Sequence, residues 1–448
     1  MLYLIHKLRG KLSPDALNRR VLQIALPAIV SNITVPLLGL VDTAIAGHLG
    51  KTSYIGAIAV GGVIFNMIYW LFCFLRWGTS GLTAQSLGAG DDKEVTDTLY
   101  RSCLLALAIG VGLLVLQYPI FFVASKLMDM TPEVADYTAT YFRICVWGAP
   151  AVQLLYALSG WFVGMQNSRI PMVVAIVQNG ANIPLSLLFV CVGGMKIEGV
   201  ALGTVIAQYL GLATALFLLY RNYRRYLVRS SRSDIFMRSA LVRFLNVNRD
   251  IMLRMVCLLA VTVWFTSAGS RQGELVLAAN TILFQLFYLF SFFFDGFANA
   301  GEAICGKSWG ERNVALFVAT VKRVFGWGLL LVVLFTTVYI VGEELILGLL
   351  TDREEVVITA CNYFHWLLLV PICGILTFVW DGIFVGAAAT GHLLFSMFVG
   401  MAVFFVSYFV LFPLLGNDGL WIAFLFYLLG RGLTQCFTFK RVMRPISG

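Results

Sequence analysis

A carboxylate at position 42 lies near the outer end of an apolar stretch, Val21 to Ala46 (VLQIALPAIVSNITVPLLGLVDTAIA). An aspartate at the centre of a spanning helix costs roughly 2.5 to 3.5 kcal/mol on insertion scales, so an intramembrane acid reads as a functional group by default. The chemistry open to it is exchange of a proton or a cation. Farther along, Asn179, Asn182 and Ser186 fall at i, i+3 and i+7, which sets three polar side chains on one face of a stretch otherwise rich in Val, Ile and Leu. Such a face makes either interhelical hydrogen bonds, worth about 0.6 kcal/mol each inside a membrane, or the wall of a polar site. Asp295 and Glu302, two helical turns apart, share a face of a later stretch, and Asp381 opens the segment Asp381–Gly386. These three acids are candidates for a transport role, the alternative being buried pairing with Arg254 or Arg76.

The elements that must carry these groups follow from composition. The 448 residues are 60% hydrophobic and only 12% charged, too apolar for a soluble domain of this size. A hydrocarbon core about 30 Å thick needs roughly 20 apolar residues per helix. About twelve such stretches occur: Val21–Ala46, Ile55–Trp77, Leu99–Ala124, Tyr137–Leu158, Ile170–Gly193, Val200–Tyr220, Ile251–Gly269, Leu275–Ala300, Val324–Leu350, Val356–Trp380, Leu393–Leu415 and Leu420–Phe439. The fold expected is an all-α polytopic membrane protein.

The formal net charge of +9 raises the question of nucleic acid, and the placement of the basic residues answers it. Of 32 Lys and Arg, 23 fall in the N-terminus, alternate loops and C-terminus, while the opposite loops hold only Lys51, Lys126, Lys196, Arg271 and Arg353. That alternation is the positive-inside pattern and sets both termini in the cytoplasm of a cell (inner) membrane protein. The longest break, 221–249, carries eight arginines, among them Arg221, Arg224, Arg225 and Arg229, and reads as a cytoplasmic linker against anionic lipid rather than a nucleic-acid patch. Lys7, Arg9 and Lys11 before an apolar run imitate a signal peptide, but the run is about twice the length of a normal signal core, so an uncleaved first helix is expected. The nine cysteines stand singly without C-x-x-C or histidine at ligand spacing, so neither a disulfide framework nor a metal site is expected. His48 and His392 lie near span ends, as polar termini. With no nucleophile–base pair and no phosphate-binding loop, an enzyme is not expected.

Residues on either side of the linker echo one another at a separation of about 220. Ser159–Gly164 aligns with Asp381–Gly386, and Gly81 and Gly90 with Gly301 and Gly310. The domains expected are therefore a cytoplasmic segment 1–20, a six-helix lobe 21–220, the linker 221–249, a second six-helix lobe 250–440 and a tail 441–448. An even number of spans per copy gives a parallel repeat about an axis along the membrane normal, with a central cleft. The alignment puts Phe265 or its neighbour opposite Asp42, so the seventh helix lacks the acid of the first. Pro27 and Pro36 each remove a backbone hydrogen bond and permit a bend in helix 1. The aromatic run Phe284, Phe287, Tyr288, Phe290, Phe292, Phe293, Phe294 and Phe297 wraps its helix; some rings could offer cation–π faces, most being expected to face lipid.

Leu26–Pro27, Pro36 and Val41–Gly47 (VDTAIAG) resemble helix 1 of the multidrug and toxic compound extrusion (MATE) family. Phe294–Glu302 (FDGFANAGE) and Leu75–Gln85 (LRWGTSGLTAQ) resemble its DNA-damage-inducible branch, and the likeness runs from about Leu22 to Phe439. The resemblance implies twelve helices in two six-helix lobes facing a central cavity, and antiport: organic cations or other amphiphilic toxins leave as protons or sodium ions enter. It implies an N-lobe site in which Asp42 matches the helix 1 aspartate, Asn179 and Asn182 the helix 5 asparagines, and Thr204 the helix 6 threonine. Many relatives carry a second aspartate one turn after the second asparagine; this chain has Ser186, so Asp42 acts without a paired acid. Asp381 falls where sodium-associated members have an acid.

The function expected is secondary active export of hydrophobic, cationic organic compounds by proton-coupled antiport with alternating access, by a monomer that needs no cofactor beyond the coupling ion. Poor hydration favours the neutral acid at Asp42 and amide or hydroxyl donors favour the carboxylate, so a lipophilic cation and a proton exclude each other there. Sodium coupling at Asp381 and a lipid-linked oligosaccharide flippase of related fold are the alternatives. The second calls for a strongly cationic cavity, whereas the candidates here are acids and amides.

Overall fold

The computed structural model describes residues 14–47, 51–128, 130–227 and 232–447; the side chains at 14, 35–44, 46, 47, 52, 232 and 447 lie outside the described set. Asp42, Pro36 and His48 fall among these exclusions. Among the described residues, twelve long helices carry the fold. They are α1 (Pro14–Gly47), α2 (Ser53–Ala89), α3 (Asp92–Val115), α4 (Pro132–Gly164), α5 (Arg169–Leu187), α6 (Ile197–Tyr223), α7 (Arg238–Ser270), α8 (Glu274–Gly310), α9 (Val314–Leu350), α10 (Glu354–Gly386), α11 (Thr390–Leu415) and α12 (Asn417–Ser447). The segments holding α2 to α12 are each long and apolar enough to cross a membrane, and α1 runs unbroken through Pro27 and Pro36.

The chain gathers into two compact units. One holds the residues up to Ile29, Leu87–Gly90 and Asn246–Gly448; the other holds Val30–Ser86 and Asp91–Leu245. In the second, here the N-terminal unit, the apolar core unites Tyr54, Ile58, Phe65, Tyr141, Phe142, Val146, Ile197 and Val200. Between lipid-solvated helices there is little hydrophobic drive, so close backbone approach at small residues supplies the packing. A Cβ at Gly160 or Gly164 would strike the carbonyls of Arg76 and Ser80. In the C-terminal unit, Gly382 and Gly386 press in the same way on the carbonyls of Ala298 and Glu302.

All four glycine–carbonyl partners are related by a shift of 222 residues, and the turns repeat with the same shift. Gln166 and Ala388 both take positive φ, as do Gly90 and Arg312, and Gly194 and Gly416. The Asp91 side chain caps α3 by accepting from Glu94 N, and Asn313 caps α9 by accepting from Leu316 N. This is the internal repeat expected from the sequence, carried by backbone conformation and capping, but its register is 222, so Gly90 pairs with Arg312 and the expected pairings of Gly81 with Gly301 and Gly90 with Gly310 are each displaced by two residues.

The copies differ in continuity. In the N-terminal unit α2 is interrupted at Cys73, α4 passes through a tight 3₁₀ turn at Val146–Gly148 just before Pro150, and α5 ends in a wide π turn, Leu188–Val192, after Pro184. The counterparts α8, α10 and α11 run without interruption. Two further departures from the sequence reading concern the ends of helices. The stretch expected as one span from Leu99 breaks at Leu116, ahead of Pro119, into α3 and a short helix Gln117–Leu127. The expected linker 221–249 is largely helical, since α6 continues to Tyr223, a 3₁₀ turn covers Arg224–Tyr226, and α7 begins at Arg238. Arginine interrupts hydropathy without interrupting a helix, being among the better helix formers.

The aromatic run on α8 also departs from expectation. Phe284, Phe290, Phe294 and Phe297 are buried, and Tyr288 is exposed. Phe284 packs on Phe265, Trp421 and Phe424, and Phe290 on Phe335 and Phe378. Four of these eight rings are buried in the C-terminal unit, where α8 packs against α9 and α10 and Phe284 reaches α12.

Candidate functional site

The polar face of α5 is the organising element of the N-terminal unit. Asn179 donates from Nδ2 to the Thr34 carbonyl of α1 at 3.1 Å, and the Thr34 hydroxyl turns back to the Ser31 carbonyl at 2.8 Å. One turn farther, Asn182 donates from Nδ2 to Thr204 Oγ1 of α6 at 3.0 Å, and that hydroxyl in turn donates to the Val200 carbonyl at 3.0 Å. Thus α5 is tied to α1 by one asparagine and to α6 by the next. Asn182 is fully buried, and its Oδ1 accepts no hydrogen bond among the described residues. A buried amide oxygen without a donor is costly unless a ligand or a titrating group supplies one.

Ser186 is also fully buried, and its place explains its size. A Cβ at Gly203 of α6 would lie 2.5 Å from Ser186 Oγ and 2.8 Å from its backbone nitrogen. The two helices touch at this pair, leaving little room for a longer acidic side chain.

The contact between Asn179 and Thr34 sets the relative level of the two helices. By span count α1 and α5 run in the same direction. Seven residues onward from Asn179 reach Ser186, a rise of roughly 11 Å, and eight onward from Thr34 reach position 42, roughly 12 Å. The backbone of position 42 therefore stands level with Ser186. The repeat adds an independent relation. With the 222-residue shift, Trp264 is the mate of Asp42 and Tyr408 the mate of Ser186, and these two rings meet edge to face with centroids 5.8 Å apart. Phe404 is the mate of Asn182, so positions polar in one unit are aromatic in the other.

In the C-terminal unit the polar centre is built elsewhere. Asp381 of α10 accepts at Oδ2 from Arg254 of α7 and from Arg431 of α12, the latter at 2.7 Å, and at Oδ1 from Gln435 Nε2 at 2.7 Å. Arg431 also donates to the Tyr427 hydroxyl at 3.1 Å, and its stem lies against Gly400 of α11, where any Cβ would meet Cγ. Asp381, Arg254 and Arg431 are 5%, 3% and 4% exposed. Three of roughly four lone-pair positions on this carboxylate are filled by the protein's own donors, two of them cationic. The buried pairing with Arg254 weighed from the sequence is what the structure contains. Arg431 and Gln435 were not singled out from the sequence, although an arginine inside the expected span Leu420–Phe439 is as informative as an acid. Asp295 and Glu302 both lie on α8; Glu302 is buried and Asp295 partly so, and the Glu302 carbonyl abuts Gly386. Arg76 has no carboxylate within ion-pair distance among the described residues; its guanidinium lies over the Trp77 ring.

A helical membrane chain made of two copies of one six-span unit, with an amide and hydroxyl cluster in one copy and a closed ionic cluster in the other, has the architecture of a duplicated membrane transporter. The MatE family model matches it twice, over residues 27–188 and 251–410, and the chain belongs to that family. It is 34% identical to the DNA damage-inducible protein F of Escherichia coli K12 over 94% of this chain and 92% of that one. It is 23% identical to the multidrug resistance protein MdtK of Proteus mirabilis, with 91% and 92% covered. Among solved structures, a MATE transporter of Vibrio cholerae in its bent form superposes with a TM-score of 0.84 at 17% identity, with 97% of this chain and 98% of that one covered.

Proposed function

We propose that this protein is a secondary active transporter that exports hydrophobic, chiefly cationic organic compounds by antiport against protons, with Asp42 as the coupling group. The observation that carries the reading is the hydrogen-bonded face of α5. Asn179 joins α5 to α1 at Thr34, two turns before position 42, Asn182 joins it to α6, and Asn182 Oδ1 remains an open acceptor among the described residues. The edge-to-face meeting of Trp264 and Tyr408 supports the same placement, since their repeat mates are Asp42 and Ser186. A neutral carboxylic acid donates one hydrogen bond and a carboxylate none, so an open amide acceptor favours the protonated state; an organic cation favours the ionised one. Proton and cargo then exclude each other, and their alternation couples the two fluxes through alternating access.

In the C-terminal unit a sodium ion would have to displace a guanidinium from Asp381, which favours protons over sodium as the coupling ion. The efflux of a fluorescent cationic dye from vesicles, with ionophores collapsing either gradient, tests the proposal. Export is expected to stop when the pH gradient collapses and to continue when only the sodium gradient does. Export that follows sodium at fixed pH overturns it.

A further inference from the structure

The segment joining the two repeats is held down. Tyr100 of α3 donates its hydroxyl to the Leu227 carbonyl at 2.9 Å. Arg101, 3% exposed, donates from Nε to the Ile235 carbonyl and from Nη2 to the Asp234 carbonyl, both at 2.8 Å, while Nη1 holds Glu94 at 2.7 Å. Those carbonyls end the short helix Arg232–Ile235, where a cation is well placed against the helix dipole. Lys93 pairs with the Asp234 carboxylate at 2.7 Å. Upstream, Tyr226 is buried edge-on against Trp161, and the Tyr223 hydroxyl accepts from Asn167 Nδ2 at 3.0 Å. Every one of these contacts lies within the N-terminal unit.

This anchoring fixes what the segment turns outward. Arg221, Arg224, Arg225 and Arg238 are exposed, and so are Phe236 at 62% and Met237 at 50%. Val242 and Leu245 follow on the same exposed stretch, and Phe217 and Tyr220 precede it on the last turns of α6. From 221 to 245 the sequence holds seven arginines against one aspartate, Asp234, which Lys93 already engages. Exposed cations interleaved with exposed large apolar side chains, at the cytoplasmic end of spanning helices, are what an interfacial membrane segment presents. A surface of this size facing only water would leave Phe236 and Met237 hydrated, although the segment has a buried face to which they could have turned.

We infer that this outer face is a docking surface for the anionic phospholipids of the cytoplasmic leaflet. The four arginines meet headgroup phosphates, and Phe236 and Met237 enter the acyl boundary. Arg101 is a positioning residue that presents the face without touching lipid.

The test uses the purified full-length protein in nanodiscs of phosphatidylcholine alone or with about a third phosphatidylglycerol. Native mass spectrometry reads which lipid is retained, and amide hydrogen exchange reads the peptide over 232–245. The wild type is expected to retain phosphatidylglycerol preferentially and to show slower exchange in the mixed discs. With about fivefold in affinity per arginine near an anionic surface, the quadruple variant Arg221→Gln, Arg224→Gln, Arg225→Gln, Arg238→Gln is expected to lose the preference. Phe236→Ser with Met237→Ser is expected to weaken retention while keeping the preference. Unchanged lipid preference in the quadruple variant overturns the inference. So does a dimer that this variant dissolves without any phosphatidylglycerol effect, which would make the occupant a second copy. Because all six substitutions are at exposed positions, a folding defect is distinguishable by the thermal transition in detergent.

Discussion

Asp381→Asn separates a structural clamp from a cation site. In the wild type one carboxylate receives Arg254, Arg431 and Gln435 and so ties α7, α10 and α12 together at positions no more than 5% exposed. Hydrogen bonds to charged groups contribute about 1.5 to 3 kcal/mol each, and breaking a buried ion pair by removing one partner costs about 3 to 5 kcal/mol because the other charge stays buried. Asparagine keeps one acceptor oxygen, which returns part of this, so a loss of about 3 kcal/mol is expected in unfolding titrations with sodium dodecyl sulfate from mild detergent. Removing all three charges with Arg254→Met, Asp381→Leu and Arg431→Met is expected to restore stability to within about 1 kcal/mol of wild type, since well-packed apolar replacements of buried ion clusters are commonly neutral. The reasoning is refuted if Asp381→Asn is as stable as wild type and instead abolishes a sodium dependence of efflux that the wild type shows.

Other substitutions probe the packing and the polar face. Ser186→Asp places a longer acid against Gly203 and is expected to destabilise by about 2 kcal/mol or more, seen as reduced monomer recovery in size-exclusion profiles. Asn182→Leu with Thr204→Val removes an interhelical hydrogen bond worth about 0.6 kcal/mol; the pair is expected to insert and fold normally while losing most dye efflux in vesicles. Gly382→Val and its repeat mate Gly160→Val drive a side chain into the carbonyls of Ala298 and Arg76, and both are expected to lower the thermal transition in detergent, whereas valine at Gly62, which has open space around it, is expected to leave the transition near wild type.

Much of this architecture was legible in the sequence because membrane burial writes in long apolar runs and because duplication repeats its glycines. Gly160, Gly164, Gly382 and Gly386 were visible as an echo, and the structure shows why they had to be small: each abuts a carbonyl of the neighbouring helix. The face shared by Asn179, Asn182 and Ser186 was legible from helical period alone, whereas Ser186's close fit to Gly203 was not, since a missing acid and a crowded helix crossing look alike in one dimension. Asp381 was legible as an expensive group, but its choice between cation and guanidinium depended on Arg431, 50 residues away on α12. Hydropathy hid the first turns of α7 behind its arginines, and it misjudged the phenylalanines of α8, whose all-round distribution suits a buried helix as well as a lipid-facing one.

Proton release on substrate binding tests the central claim most directly. Purified protein in weakly buffered detergent, loaded with a lipophilic cation near neutral pH, is expected to release protons in proportion to bound cargo, and Asp42→Asn is expected to release none while remaining folded. Equal release from wild type and Asp42→Asn would contradict the account, because the exchanged proton would then come from another group.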